Sequence, residues 1–359
     1  MNFLKLIKKN MIVAMAMLIS AAAVAQKEST FTISGSVDTY FRTNLSGGTN
    51  DPGGDLYDGN GYTSASGGTL APSSSFANGA GFSLGMANLV IGYEGEKAGF
   101  VADLVFGPRG ADAVFASGPA LNIVNQLYAY YNVTDNFKLT LGNFNTFLGY
   151  EVISPTANFN YSTSYMFSYG PFSHTGLKAD FTISDKWSLA VAIMNPTDYT
   201  DFNPSNEYVG GLQIGYSTDA GSAYLNVLSS EDFFQIDLTT GWDLSESFYL
   251  GINATSQTGD ASGDFYGAAG YLQLAISDNV AIGVRGEYFS DGNGVAIAGD
   301  ESVFATTFSA PITSGSLTII PEIRLDALSY DGFVDGEGTV GSSLSSFVLA
   351  AVYSFQHNR

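Results

Sequence analysis

Ser173 and His174 stand side by side, and a hydroxyl beside an imidazole invites nucleophilic hydrolysis. That chemistry needs a third group to orient the base, and successive strand residues point to opposite faces. No such partner is in view, so the pair does not define an enzyme. The 359 residues contain no metal-ligand spacing, Walker loop or dinucleotide fingerprint, and no cysteine for a disulfide or thiolate site. Neither catalytic nor cofactor-binding nor metal-binding residues are expected.

Charge laid out for electrostatics is easier to find. Arg285 and Glu287 alternate, as do Glu322, Arg324 and Asp326, so in a strand each set shares one face. Asp38, Arg42, Asp103, Lys138, Lys178, Asp180, Gln235 and Asp237 hold the polar phase of other alternating runs. Residues 142–176 form a different kind of stretch, rich in Asn, Ser, Phe and Tyr, with neither strand alternation nor a helical stripe. Glu151 is its only acid and His174 its only histidine.

The elements that must position these residues read as strands. Phe31, Ile33, Val37 and Phe41 alternate with Thr32, Ser34, Ser36, Asp38 and Arg42. The period of two returns in Phe100, Ala102, Leu104, Phe106, in Trp187, Leu189, Val191, Ile193, and so on to Phe347, Leu349, Ala351, Tyr353, Phe355. The run over residues 84–93 has a blurred phase, and the one near Phe304 is less regular. About sixteen runs can be counted (about 14–18), against the roughly 9–11 residues of a tilted transmembrane strand. Connections alternate in kind: EGEK, TDN, SDK, STDAGS, LSES, SDN and APITSGS are short, while the other set is mostly longer and rich in Gly, Asp and Ser. A membrane barrel sorts its connections this way, with tight periplasmic turns and longer outward loops; a sandwich or propeller has no reason to. Tyr93, Phe100, Tyr131, Phe137, Phe181, Trp187, Tyr216, Trp242 and Phe248 cluster near the short turns, as an interfacial girdle would.

Residues 1–25 read as an export signal. Lys5, Lys8 and Lys9 precede a short apolar run, and Ala23-Val24-Ala25 offers a cleavage site between Ala25 and Gln26. With 42 Gly, 21 Tyr, 26 Phe and 13% charged residues, the composition suits short strands facing lipid better than a soluble globule. The formal charge of −21 becomes −24 once the three leader lysines are removed. Nucleic acid would be repelled. Cations would be drawn to an acidic pore, unless the acids only solvate the outer loops.

Together these observations predict an all-β fold: a transmembrane antiparallel up-and-down barrel of about sixteen strands, with residues 26–359 as one outer-membrane domain. Residues 145–175 fall in the third long connection and are expected to fold inward as a constriction loop. Glu151, Asn158, Tyr161 and Tyr165 are the candidate constriction residues. Glu151 either sets ion selectivity or is bonded to backbone donors that hold the loop to the wall. The candidate lumen charges are Asp38, Arg42, Lys138, Lys178, Arg285, Glu287, Glu322, Arg324 and Asp326. Facing lipid at midplane a cation costs roughly 2–4 kcal/mol, so these groups should face water, as a transverse field, or pair as a structural network.

Five segments in order carry a family resemblance. They are GYE at Gly149–Glu151, the Asn-aromatic-Ser run from Asn158 to Tyr169, PFSHTG at Pro171–Gly176, VRGEYFSDGNG at Val284–Gly294 and PEIRLD at Pro321–Asp326. The set resembles the second beta-barrel porin family, also called OmpL-like, over nearly the whole mature chain. The resemblance implies a bacterial outer-membrane porin and supplies no catalytic residues. One departure is the tail Gln356-His357-Asn358-Arg359 after Phe355, where barrels often end on an aromatic. The expected function is passive diffusion of small hydrophilic solutes or ions, with mild cation preference. The expected partners are outer-membrane lipids, those solutes and, by analogy with sixteen-stranded porins, two further copies in a homotrimer. The competing readings are a non-conducting barrel that binds through its outer loops and a soluble secreted β-protein.

Overall fold

The computed structural model describes residues 29–46, 56–57, 62–63, 69–72, 74–118, 121–259, 263–292, 300–334 and 339–358. The expected leader, with its Ala25–Gln26 cleavage point, lies outside them, as does part of the first long loop.

Sixteen antiparallel strands form one closed barrel. They are β1 (Thr30–Asn44), β2 (Gly81–Glu94), β3 (Ala98–Phe106), β4 (Val124–Thr134), β5 (Phe137–Asn145), β6 (Ser173–Thr182), β7 (Trp187–Met194) and β8 (Val209–Ser217). There follow β9 (Gly221–Ser229), β10 (Phe233–Asp243), β11 (Phe248–Gly259), β12 (Phe265–Ser277), β13 (Val280–Asp291), β14 (Glu301–Ser309), β15 (Leu317–Leu328) and β16 (Ser343–Asn358). Each pairs with its neighbours in sequence, and β1 closes the ring on both β2 and β16. Thr32 pairs with Asn358, Ile33 with His357 and Ser34 with Gln356, so these three polar residues are part of the last strand rather than a trailing end. The APITSGS connection is shorter than expected: after Pro311, which has no N–H for the ladder, Ile312–Ser314 resumes β14 and pairs with β15.

Alternation decides which side chains face outward. Leu212, Ile214, Leu225, Ile236, Leu238, Ile323 and Leu325 are all exposed on the outer face, the apolar surface that a membrane barrel presents. Rings near the short turns meet across strands: Tyr93 stacks on Phe100, Phe137 on Phe181 at 4.7 Å, and Trp187 lies against Tyr216. The blurred phase of the second run has a physical cause. A β-bulge places Gly85 and Met86 opposite Asp38 alone, and Asp38 accepts the Met86 N–H. The extra residue shifts the outward set from Phe82 and Leu84 to Ala87, Leu89 and Ile91.

The inner face is less uniformly polar than alternation implies. Val90, Val101, Tyr128, Met194, Val209 and Leu228 point inward and pack with Phe144 and Leu148 as a hydrophobic cluster. A short helix α1 (Pro108–Ala113) follows β3, and α2 (Tyr165–Tyr169) lies within the inward insertion.

Candidate functional site

The β5–β6 connection, residues 146–172, runs into the lumen and touches wall strands around most of the ring. Its backbone has few partners of its own, so the wall supplies them. On β15, Glu322 accepts the N–H groups of Tyr161 (2.8 Å) and Ser162 (3.1 Å). On β13, Glu287 accepts those of Tyr165 (2.9 Å) and Met166 (2.8 Å), the first turn of α2. Anions are favoured there because the first N–H groups of a helix lack internal acceptors. Ser164 caps the same turn by accepting the Phe167 N–H.

Guanidinium groups take the opposite half of the backbone. Arg285 donates to the Ser162 carbonyl (2.8 Å), to Thr307 (2.9 Å) and to Glu151 (2.5 Å). Arg324 donates to the Thr163 carbonyl (2.7 Å) and to Ser74 in the first loop, and pairs with Asp326. Arg109 of α1 donates to the Ile153 and Tyr161 carbonyls and lies over the Phe76 ring. Hydroxyls finish the set: Tyr161 donates to Asp38 (2.6 Å) and Tyr165 to Asp326 (3.1 Å). All these charges are buried, so each bond is charge-assisted and little screened.

Six of the nine candidate lumen charges thus converge on the insertion: Asp38, Arg285, Glu287, Glu322, Arg324 and Asp326. Arg42 instead holds the first loop, donating to the Leu70 and Asn78 carbonyls. Lys138 and Lys178 stand apart on β5 and β6 around Asp180, at 3.8 and 3.2 Å. Glu151 is 5% exposed, accepts the Ser164 N–H (2.6 Å) and pairs with Arg285, the bonded arrangement rather than a carboxylate in open water. Asn158 braces the loop against itself through both backbone groups of Val152. It also borders a vestibule of about 400 Å³ next to the β12–β13 turn, at the short-turn end. His174 is buried and bonded to Thr146.

Two features have weak sequence signatures. Lumen-facing glycines act as notches for the insertion. A Cβ on Gly251 would lie 2.6 Å from the Tyr150 ring, one on Gly267 2.7 Å from Met166, and one on Gly211 2.8 Å from Phe147. Gly251→Val is therefore expected to lower barrel stability by about 1–3 kcal/mol through overpacking, read as a lower unfolding midpoint in detergent. Gly270→Ala, where a Cβ meets open space, should leave it unchanged.

The second is Asp198 in the loop between β7 and β8. It accepts the N–H groups of Phe172 and Ser173, both at 2.8 Å, and so pins the insertion's exit. Burial pushes its carboxyl up to about 6 despite those two donors. The folded protein then holds more protons than the unfolded chain between about pH 4 and pH 6. This residue's favourable contribution is complete below pH 4 and is lost as pH rises through 6. Wild type should fall in thermal stability across that window relative to Asp198→Asn, measured by melting at a series of pH values.

A closed antiparallel barrel with an inward-folded third long loop defines the porin class of outer-membrane protein. The family described as "Putative beta-barrel porin-2, OmpL-like" matches residues 30–355, and the chain belongs to it. Among curated proteins none matches the sequence. Among solved structures the fold is similar to an anion-selective porin from Comamonas acidovorans, with a TM-score of 0.59 at 10% identity, covering 91% of this chain and 100% of that one. The outer membrane channel DcaP of Acinetobacter baumannii gives 0.56 at 12% identity, covering 94% and 100%. OmpT of Vibrio cholerae in its trimer form gives 0.54 at 10% identity, covering 92% and 100%.

Proposed function

We propose that this protein is an outer-membrane porin in which the insertion sets the bore for passive diffusion of small hydrophilic solutes. The observation that carries the reading is the buried clamp of Glu287, Glu322, Arg285 and Arg324 on one loop inside a closed barrel. Glu151 serves the clamp rather than the permeant. The acid excess of the whole chain, acting from the mouths of the bore, gives a mild cation preference. Three copies assemble in the outer membrane, as in the trimer form of OmpT, after removal of residues 1–25. Purified protein in planar bilayers should show stepwise conductance, and a salt gradient should give a reversal potential on the cation side. Absence of steps rejects the pore, and an anion-side potential rejects the preference.

The hydrophobic cluster inside the lumen favours one other reading, a barrel closed at rest that binds through its outer loops. Such a protein would stay silent in bilayers even after the insertion is shortened.

A further inference from the structure

The insertion is held unevenly. Toward β1, β13 and β15 it is fixed by the buried charges described above. Toward β10 and β11 it is held by the Gly149 N–H on Asp237 (3.0 Å) and by the Tyr150 hydroxyl on Tyr249 (3.0 Å). Along this second edge runs a gap of about 20 Å³, room for one water, between Leu148, Gly149 and Phe167 on the insertion and Gln235, Asn253 and Thr255 on the wall. Gln235 is 2% exposed, and while its Nε2 donates to Thr255 its Oε1 accepts no hydrogen bond among the described residues.

We propose that the permeation route opens along this seam and admits uncharged hydrogen-bonding solutes in preference to ions. The inference rests on the porin reading. With one bond to Asp237 and one between tyrosine hydroxyls, this edge separates at lower cost than one that would strand several buried charges, and Asp237 keeps three side-chain donors when Gly149 leaves. The wall it uncovers is amide and hydroxyl. Asp237 is the single charge lining the gap, and its oxygens already accept Asn226, Thr239 and Asn253 besides Gly149. A polyhydroxylated solute can exchange its water for such donors and acceptors, whereas an anion finds no countercharge and a cation finds only Asp237, whose oxygens keep their three side-chain donors.

The chain has no cysteine, so paired cysteines report cleanly. Phe167→Cys with Thr255→Cys places one thiol on each side of the gap, and each single-cysteine variant serves as the control. Liposome swelling is followed with arabinose, with gluconate and with glucosamine. Oxidising the seam pair to a disulfide should slow arabinose entry at least about tenfold, with recovery on reduction, while oxidant leaves entry through each single-cysteine variant unchanged. Arabinose should also enter wild-type liposomes severalfold faster than either ion. Full flux through the oxidised seam pair, or ions entering as fast as arabinose, overturns the inference and leaves the porin standing. No uptake of any solute by wild type overturns both.

Discussion

Deleting residues 158–169 should raise single-channel conductance severalfold while leaving the barrel folded. The segment carries Tyr161, Ser162, Tyr165 and Met166, whose N–H groups occupy Glu322 and Glu287, and the tyrosine hydroxyls that occupy Asp38 and Asp326. Its removal leaves those carboxylates facing water that enters with the vacated space, so they exchange one set of donors for another. The wall itself rests on ladders from β1 to β16 that the deletion does not touch. Planar-bilayer recordings of wild type and deletion check the result. Unchanged conductance would mean that the segment does not restrict the bore.

Arg285→Met should be more damaging to stability, although it removes one side chain rather than twelve residues. Arg285 is fully buried and bridges Glu151 on the insertion to Thr307 on β14. Met fills similar space and offers no donor. Glu151 keeps the Ser164 N–H, but its charge is stranded in a dry interior that water cannot enter, because the insertion is still in place. Breaking a buried pair from one side costs about 3–5 kcal/mol. Unfolding of detergent-solubilised protein should show a loss of that order, largely recovered in Arg285→Met with Glu151→Gln, which removes the stranded charge. An unrecovered double variant would show that the Ser162 carbonyl and Thr307 contacts, not the ion pair, matter most.

Much of the fold can be read directly because a membrane barrel is a local code. Strand faces differ in solvent, so Leu212, Ile214 and Tyr216, or Phe234, Ile236 and Leu238, declare their side residue by residue. The seven short connections mark one end of the barrel for the same reason. Where the code fails, the cause is also local: the bulge opposite Asp38 inserts a residue and scrambles the phase of β2. The inward cluster of Val90, Val101 and Tyr128 is missed because apolar residues on the polar phase look like noise until a loop packs on them.

The amino-acid sequence by itself determined a chain built mainly of strands, its alternating faces, its short and long connections and the face on which Arg285, Glu287, Glu322, Arg324 and Asp326 lie. Only the tertiary structure decided what that face meets. Whether a lumen charge touches water or backbone depends on a loop more than a hundred residues away, and Gly251 becomes a notch only when Tyr150 arrives. Alternation is set by sterics between neighbouring residues. Filling the bore is set by closure of the ring, which no neighbouring pair of residues encodes.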